Sequence, residues 1–444
     1  MKFSKSSRIV LALLVTLGAS LGITSCTSDY TIGYLYVTGT NANNTSGTSG
    51  EISGFKISNN TGALTAVAGS PFGSSGENPR RALVYSKTGR FLYVLNGGDA
   101  TTGLGGGVAL FFIGGAGSLS YQATYTSQGT GPQSIISDAS GNHLMVLDEY
   151  EPATVGPNDP TPNPTPCVGS DGVAHPVGEV TVFTVDPNTG RLSPVTNTQQ
   201  HDATGNNLNY FPVGCFPIDG AVAQAFLYVI QKGTAATGDL QSVFVYSVNT
   251  NGELTLSANS TLATSAYNLT YITTSGSSVF LLDAGPDPTS PSNPSYILPY
   301  TEGGTGGALS IALGGKVQND PNVQNPVDLL IESGTHNFIY VANAGPNTST
   351  SGTSSSSAIS AFNVVNSELT LFTAQEPIPT GASPRCIVED PSNQYIYTAN
   401  HDSNNVTGKL LDTQHGNLSP LRSGTSTFAT GGNPTWCVVT GRTQ

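Results

Sequence analysis

Charge is scarce in this 444-residue chain: Lys, Arg, Asp and Glu together make up 10% of it. Cations are scarcer still, 15 basic residues against 28 acidic ones. Three of the 15, Lys2, Lys5 and Arg8, fall in the first eight residues, which leaves 12 basic residues and a net charge near −16 beyond them. A surface so poor in cations excludes nucleic acid as a partner and a basic grip on anionic lipid. After the N-terminal segment no apolar run reaches the ~18 residues of a spanning helix, and the 3.6-residue period of an amphipathic helix is missing throughout. No CxxC pair marks a zinc site and no EF-hand spacing marks calcium, so neither metal nor cofactor is expected. What abounds is Gly, Ser, Thr and Asn, with many β-branched and aromatic residues. That is the profile of an exported, turn-rich, all-β protein.

The first residues read as an export signal. Lys2, Lys5 and Arg8 precede an apolar run from Ile9 to Gly22, and Ile23-Thr24-Ser25-Cys26 resembles a bacterial lipobox. Residues 1–25 are therefore expected to be a lipoprotein signal peptide. Cys26 is the expected lipidation site, with residues 26–33 as a tether spanning at most about 28 Å. This puts the protein in the bacterial cell envelope, lipid-anchored, periplasmic or surface-facing, with the membrane as a partner through the anchor alone.

Two motifs recur seven times in step. One is Gly-x-Leu-Ser/Thr, as in Gly62-Ala63-Leu64-Thr65, Gly190-Arg191-Leu192-Ser193 and Gly416-Asn417-Leu418-Ser419, with Ser367 replacing the Gly in one copy. The other is an aromatic and branched strand, as in Tyr34-Leu35-Tyr36-Val37, Phe91-Leu92-Tyr93-Val94 and Tyr395-Ile396-Tyr397-Thr398. Between them lies a strand of period-2 alternation, such as Val180 to Val185, and before the aromatic strand comes another, often opened by Pro. Four hairpin-linked strands in about 55 residues make a propeller blade. Residues 34–444 are thus expected to form one seven-bladed β-propeller of four antiparallel strands per blade, interrupted by an insertion at 152–176. The chain enters at a second strand, Tyr34, and ends on a lone first strand around Trp436, so the C-terminal strand should close the first blade.

The blade map sorts the loops. Turns between first and second strands, and between third and fourth, are short and share a face; the opposite face carries the long loops, where binding is expected. That face also receives the residue ending each second strand: Gly39, Asn96, Asp148, Gln231, Asp283, Asn343 and Asn400. These polar residues either cap turns or form a rim around the channel mouth. In the second reading Asn96, Asn343, Asn400 and Glu149 bind a ligand, and Asp148 and Asp283 supply carboxylates for acid–base work. The four Cys after Cys26 allow three disulfide pairings or none. The map favours Cys386 with Cys437, at like positions in neighbouring blades, and Cys167 with Cys215, beside the insertion.

The repeat strings, such as Phe91-Leu92-Tyr93-Val94-Leu95-Asn96 and Tyr395-Ile396-Tyr397-Thr398-Ala399-Asn400, resemble those of the lactonase-type seven-bladed propellers and the related YVTN-repeat proteins. The resemblance implies hydrolysis of sugar-acid or muconate-type lactones, with a Gly-Pro-Arg-His segment on the active face. Here the corresponding stretch is Gly131-Pro132-Gln133-Ser134, without the Arg or the His. Ser383-Pro384-Arg385 resembles the family's last-blade Pro-Arg, and Asn78-Pro79-Arg80-Arg81 is a looser match. A lactonase needs a cation to polarise the carbonyl and a base to activate water, which assigns Arg385 with Asp148, Asp283 or His401 as the catalytic set. The missing Arg and His favour a monomeric binding or scaffold protein that recognises a small molecule, glycan or protein on its long-loop face. The alternative is a lactone hydrolase resembling 6-phosphogluconolactonase-type propeller enzymes.

Overall fold

The computed structural model describes residues 30–41, 49–98, 106–152, 167–169, 172–202, 204–232, 241–285, 294–345, 357–365, 368–375 and 377–442. Cys26, the signal segment, most of the tether and much of the insertion lie outside these residues. The architecture among the described residues is all-β: seven antiparallel blades whose strands follow chain order from the axis outward, plus two small hairpins. Each inner strand contacts the inner strands of both neighbouring blades, so the seven form a closed circle. The C-terminal strand Asn433–Gly441 pairs antiparallel with Thr31–Thr40, Cys437 lying opposite Val37, and so completes blade 1. The first and last described strands are thereby held in one sheet, and the inner strand of blade 1 is paired. The expected seven blades and split first blade are both observed.

The fourth strand differs from its expected form. Blades 2 and 4 carry it whole, as Leu119–Tyr125 and Leu254–Ala263. In blade 1 it is broken into Leu64–Ala66 and Phe72–Glu77, both paired with the third strand. The break holds Gly69, at φ +87°, and Pro71, which has no N–H to offer a ladder.

The two repeated motifs prove to be one device. The Tyr36 hydroxyl donates to the Gly117 carbonyl at 2.8 Å, Tyr93 to Gly190 at 2.6 Å, Tyr340 to Gly416 at 2.8 Å and Tyr397 to Gly62 at 2.7 Å. These tyrosines thus bond the Gly-x-Leu turn of the next blade, and Tyr397 carries the pattern across the closure from blade 7 to blade 1. Gly suits the turn for two reasons. At Gly416 φ is +72°, and a Cβ would stand 2.3 Å from the Phe338 ring. Blades 3 and 5 have Met145 and Phe280 where the others have Tyr; the blade after blade 5 is the one with Ser367 in place of Gly, whereas the blade after blade 3 keeps Gly252. We expect Tyr340→Phe to lower the unfolding free energy by about 1 kcal/mol, since it leaves a buried carbonyl without its donor. Equilibrium urea unfolding measures this.

Both expected disulfides are formed. Cys386 and Cys437, in the inner strands of blades 7 and 1, have Cα atoms 5.8 Å apart; Cys167 and Cys215 have theirs 5.4 Å apart. The first staples the blade that closes the ring to its neighbour, and spans 51 residues of sequence. Replacing Cys386 and Cys437 together by Ala should cost about 3 kcal/mol, chiefly by freeing the unfolded chain. Thermal and urea unfolding of the double variant against the parent test this. Two disulfides are compatible with an extracytoplasmic location.

Candidate functional site

On the long-loop face, where the inner strands begin, a cleft of about 410 Å³ opens onto the axis. Its walls include Asn78, Arg80 and Arg81 of blade 2, Gln133 of blade 3, Ile218 of blade 4, Arg385 and His401 of blade 7, and Thr40 and Thr435 of blade 1. Three arginines and a histidine thus meet in one cleft of a strongly acidic protein. Their backbone setting explains the convergence. Pro79 and Pro384 start their inner strands, and Arg80, Arg81 and Arg385 follow directly. A bulge in both blades, between Pro79 and Arg81 and between Pro384 and Cys386, re-aims the strand start.

His401 is held by its neighbour. Its Nδ1 lies 2.6 Å from Asp402 Oδ1, so Nδ1–H donates to the carboxylate, and in the neutral ring the lone pair is then on Nε2. The Ser383 hydroxyl bonds the other Asp402 oxygen. Burial pushes the Asp402 carboxyl up, but the bonds from Ser383 and His401 and the field of Arg385 outweigh it and hold it below the usual range. An ionised carboxylate thus fixes the ring's orientation and tautomer.

Arg80 and Arg81 divide their tasks. Arg80 is exposed at the cleft and donates to Gln133 Oε1 at 2.6 Å; Gln133 Nε2 in turn donates to Glu149 Oε2 at 2.8 Å. Arg81 points to the axis and pairs with Asp219 at 2.8 Å. Its guanidinium lies 4.0 Å from the centre of the Trp436 ring and 5.4 Å from that of Tyr271. Asp219 also accepts from Ser134 Oγ and the Gly220 N–H. This layer forms the cleft's floor. Beneath it a second cavity of about 550 Å³ runs between the inner strands.

The sequence-derived residues divide sharply. Arg385 and His401 share the cleft. Glu149 stands behind it, bonded to Gln133 and to the Tyr150 hydroxyl. The others turn away. Asn96 bonds Ser74; Asn343 bonds Asn319, Ser360 and the Val341 and Ala358 carbonyls; Asn400 bonds Asn405 and Thr407. All three are buried: Asn96 ties its strand to the outer strand of blade 1, Asn343 bonds within its blade and to Asn319 after the outer strand of blade 5, and Asn400 bonds within its own blade, so none rings the mouth. Asp283 is fully buried, accepting from the N–H groups of Tyr267, Asn268 and Gly285 and from Lys316. Asp148 is fully buried against Glu179, its register partner across the root of the insertion. Burial drives both carboxyls up, and the Asp148 charge drives Glu179 further, so the pair holds a proton between them. The reason is pleat alternation: the residue ending the second strand points into the blade, and the next one, His401 or Glu149, faces the mouth. Asp402, Arg80 and Arg81 were not among the assigned site residues. The signal available for the two arginines was the Pro-Arg at the start of an inner strand, shared with Arg385. Among the described residues no group of His, Cys, Asp and Glu is placed to hold a metal ion.

Comparison with known proteins agrees with the fold. The family model described as lactonase, 7-bladed beta-propeller, matches residues 327–439. No curated protein matches the chain. Among solved structures, the periplasmic gluconolactonase PpgL of Pseudomonas aeruginosa is 17% identical, with 93% of this chain and 99% of that one aligned and a TM-score of 0.62. A provisionally assigned 6-phosphogluconolactonase of Bacteroides fragilis is 16% identical over 94% of this chain and 99% of its own, with a TM-score of 0.61. A Lactobacillus plantarum protein is 19% identical over 93% and 100%, also with a TM-score of 0.61.

Proposed function

We propose, from the premise that this chain is a seven-bladed β-propeller of the lactonase type, that it hydrolyses a sugar-acid lactone in the basic cleft. One observation carries the reading: Arg80, Arg385 and the Asp402-held His401 line a single cleft on the long-loop face. In the reaction, His401 Nε2 takes a proton from water as the water oxygen attacks the lactone carbonyl. Arg385, with Arg80 across the cleft, stabilises the negative charge that develops on the carbonyl oxygen. The ring C–O bond then breaks, and the leaving alkoxide takes the proton from the imidazolium. The product is a hydroxy acid whose carboxylate the same arginines bind. Asp402 supports the cationic ring without accepting its proton.

The purified chain should therefore open glucono-δ-lactone or a related sugar-acid lactone, followed by pH-indicator assay, and Arg385→Ala should reduce kcat by about 10²-fold. If no sugar-acid lactone is opened, the reading fails and a non-enzymatic binding role replaces it. The same reading places the cleft outside the cytoplasm, on a body tethered through Cys26. Cys26→Ser should move the protein from the membrane to the soluble fraction; continued membrane association of that variant counts against the anchor.

A further inference from the structure

At the start of five of the seven inner strands a residue in the left-handed region stands directly before Pro: Asn78 at φ +49°, Gly131 at +69°, Phe216 at +50°, Asn325 at +53° and Ser383 at +54°. Four of these residues suit the position. Gly131 has no Cβ. The Asn78 and Asn325 side-chain amides donate to the carbonyls of Gly98 and Gly345, and Ser383 bonds Asp402. Phe216 offers neither remedy. A bulky residue held at positive φ is strained, and such strain clusters where the side chain is used.

The Phe216 ring meets two others. Its centroid is 6.2 Å from that of Tyr150, at 84°, and 5.8 Å from that of His175, at 72°; Tyr150 and His175 stack at 5.1 Å and 18°. His175 belongs to the hairpin of Cys167–Val168 and Ala174–His175, which the Cys167–Cys215 disulfide ties to the residue before Phe216. All three rings are half-buried. They adjoin the cleft: Ile218, two residues after Phe216, lines it, and Glu149, beside Tyr150, bonds its wall residue Gln133. The aromatic shelf and the cleft differ in charge. The cleft gathers cations, whereas the shelf has the Glu149 carboxylate at its inner edge.

We infer that this shelf is a subsite for a neutral sugar ring attached to the lactone, so that the substrate is the lactone of a disaccharide or longer aldonic acid. A pyranose offers an apolar C–H face to the rings, and its edge hydroxyls donate to Glu149. A second anion would be repelled by that carboxylate. The assignment rests on the lactonase reading of the cleft, and its test separates the two.

Wild-type protein and Phe216→Asn, the residue type used at blades 2 and 6, are compared on glucono-δ-lactone and lactobiono-δ-lactone. The wild type should show a KM about 10-fold lower for the disaccharide lactone, which corresponds to about 1.4 kcal/mol, within the range of an aromatic ring contact. Phe216→Asn should abolish that preference, leave the monosaccharide KM unchanged, and unfold at the same temperature or higher. Equal wild-type KM values, or a variant that weakens both substrates alike, overturn the shelf. Calorimetric titration with lactobionate and gluconate supplies a readout independent of turnover. Without hydrolysis but with Phe216-dependent preference for lactobionate, the shelf stands and the hydrolase falls; no preference in either measurement rejects the shelf.

Discussion

His401→Asn should lower kcat for lactone opening by about 10²–10⁴-fold, the usual contribution of a positioned general base. Asn is the informative replacement. Its side-chain amide can still donate to Asp402, so the local bonding survives while the proton acceptor is lost. His401 lies in the turn after the second strand of blade 7, its side chain 30% exposed, so the thermal midpoint should be unchanged. Asp402→Asn should act through the same ring, lowering kcat by removing the carboxylate that selects the Nδ1–H tautomer and stabilises the imidazolium. It should leave KM for the lactone near its wild-type value, because Asp402 bonds His401 and Ser383 and is not among the cleft's lining residues. Activity of His401→Asn within about threefold of the parent would remove His401 from the chemistry, since general-base losses are far larger.

Stability should fall as pH rises from about 5 to 8, contrary to the usual behaviour of an acidic protein whose carboxylates are paired. Burial pushes the Asp328 carboxyl up to about 6, the N–H groups of Ile387 and Leu329, Tyr271 and Arg81 only restraining the rise. Burial raises Asp148 as well, and burial together with Asp148 raises Glu179 well above its ordinary value. In the unfolded chain these groups titrate near pH 4, so between about 4 and each folded value the native state holds more protons. Their stabilising effect is complete below about pH 4 and is lost as pH rises through about 6 and, for Glu179, beyond. Asp328 alone, raised by about two units, accounts for about 3 kcal/mol. Asp138 works in the opposite window: bonds from His143 and Ser140 outweigh burial and hold it at about 2, so its contribution is lost only in strong acid.

Glu179→Gln isolates the pair. Glu179 Oε1 accepts from the Gly129 N–H at 2.7 Å and the Thr181 hydroxyl at 2.9 Å, and a Gln oxygen can do the same. Asp148 Oδ2 is buried, with no other hydroxyl or N–H group reaching it among the described residues, and the Gln amide supplies the donor that a protonated Glu179 supplies in the parent. The variant should gain stability at pH 8, lose little at pH 5, and show a flatter profile between them in thermal unfolding at fixed ionic strength. A parent equally stable at both pH values would show that these carboxyls do not carry the linkage.

Much of the site was legible in part. Arg385 could be found because a Pro-Arg at the start of an inner strand is a local string. His401 could be placed on the long-loop face because the blade map counts strands. Asp148 and Asp283 looked equally well placed on that map. They lie one residue earlier in the pleat than His401 and Glu149, and their side chains enter the blade.

The sequence by itself determined the number of blades, the split first blade and the two faces. Each follows from periodicities, the alternation along a strand and the spacing of Gly-x-Leu turns, that local sterics and burial impose on any chain of this pattern. Only the tertiary structure decided which polar residues meet. Arg80, Arg385 and His401 are brought together by ring closure between blades distant in sequence. Whether a carboxylate reaches the cleft or is buried with a proton depends on one step of strand register, and packing sets that step.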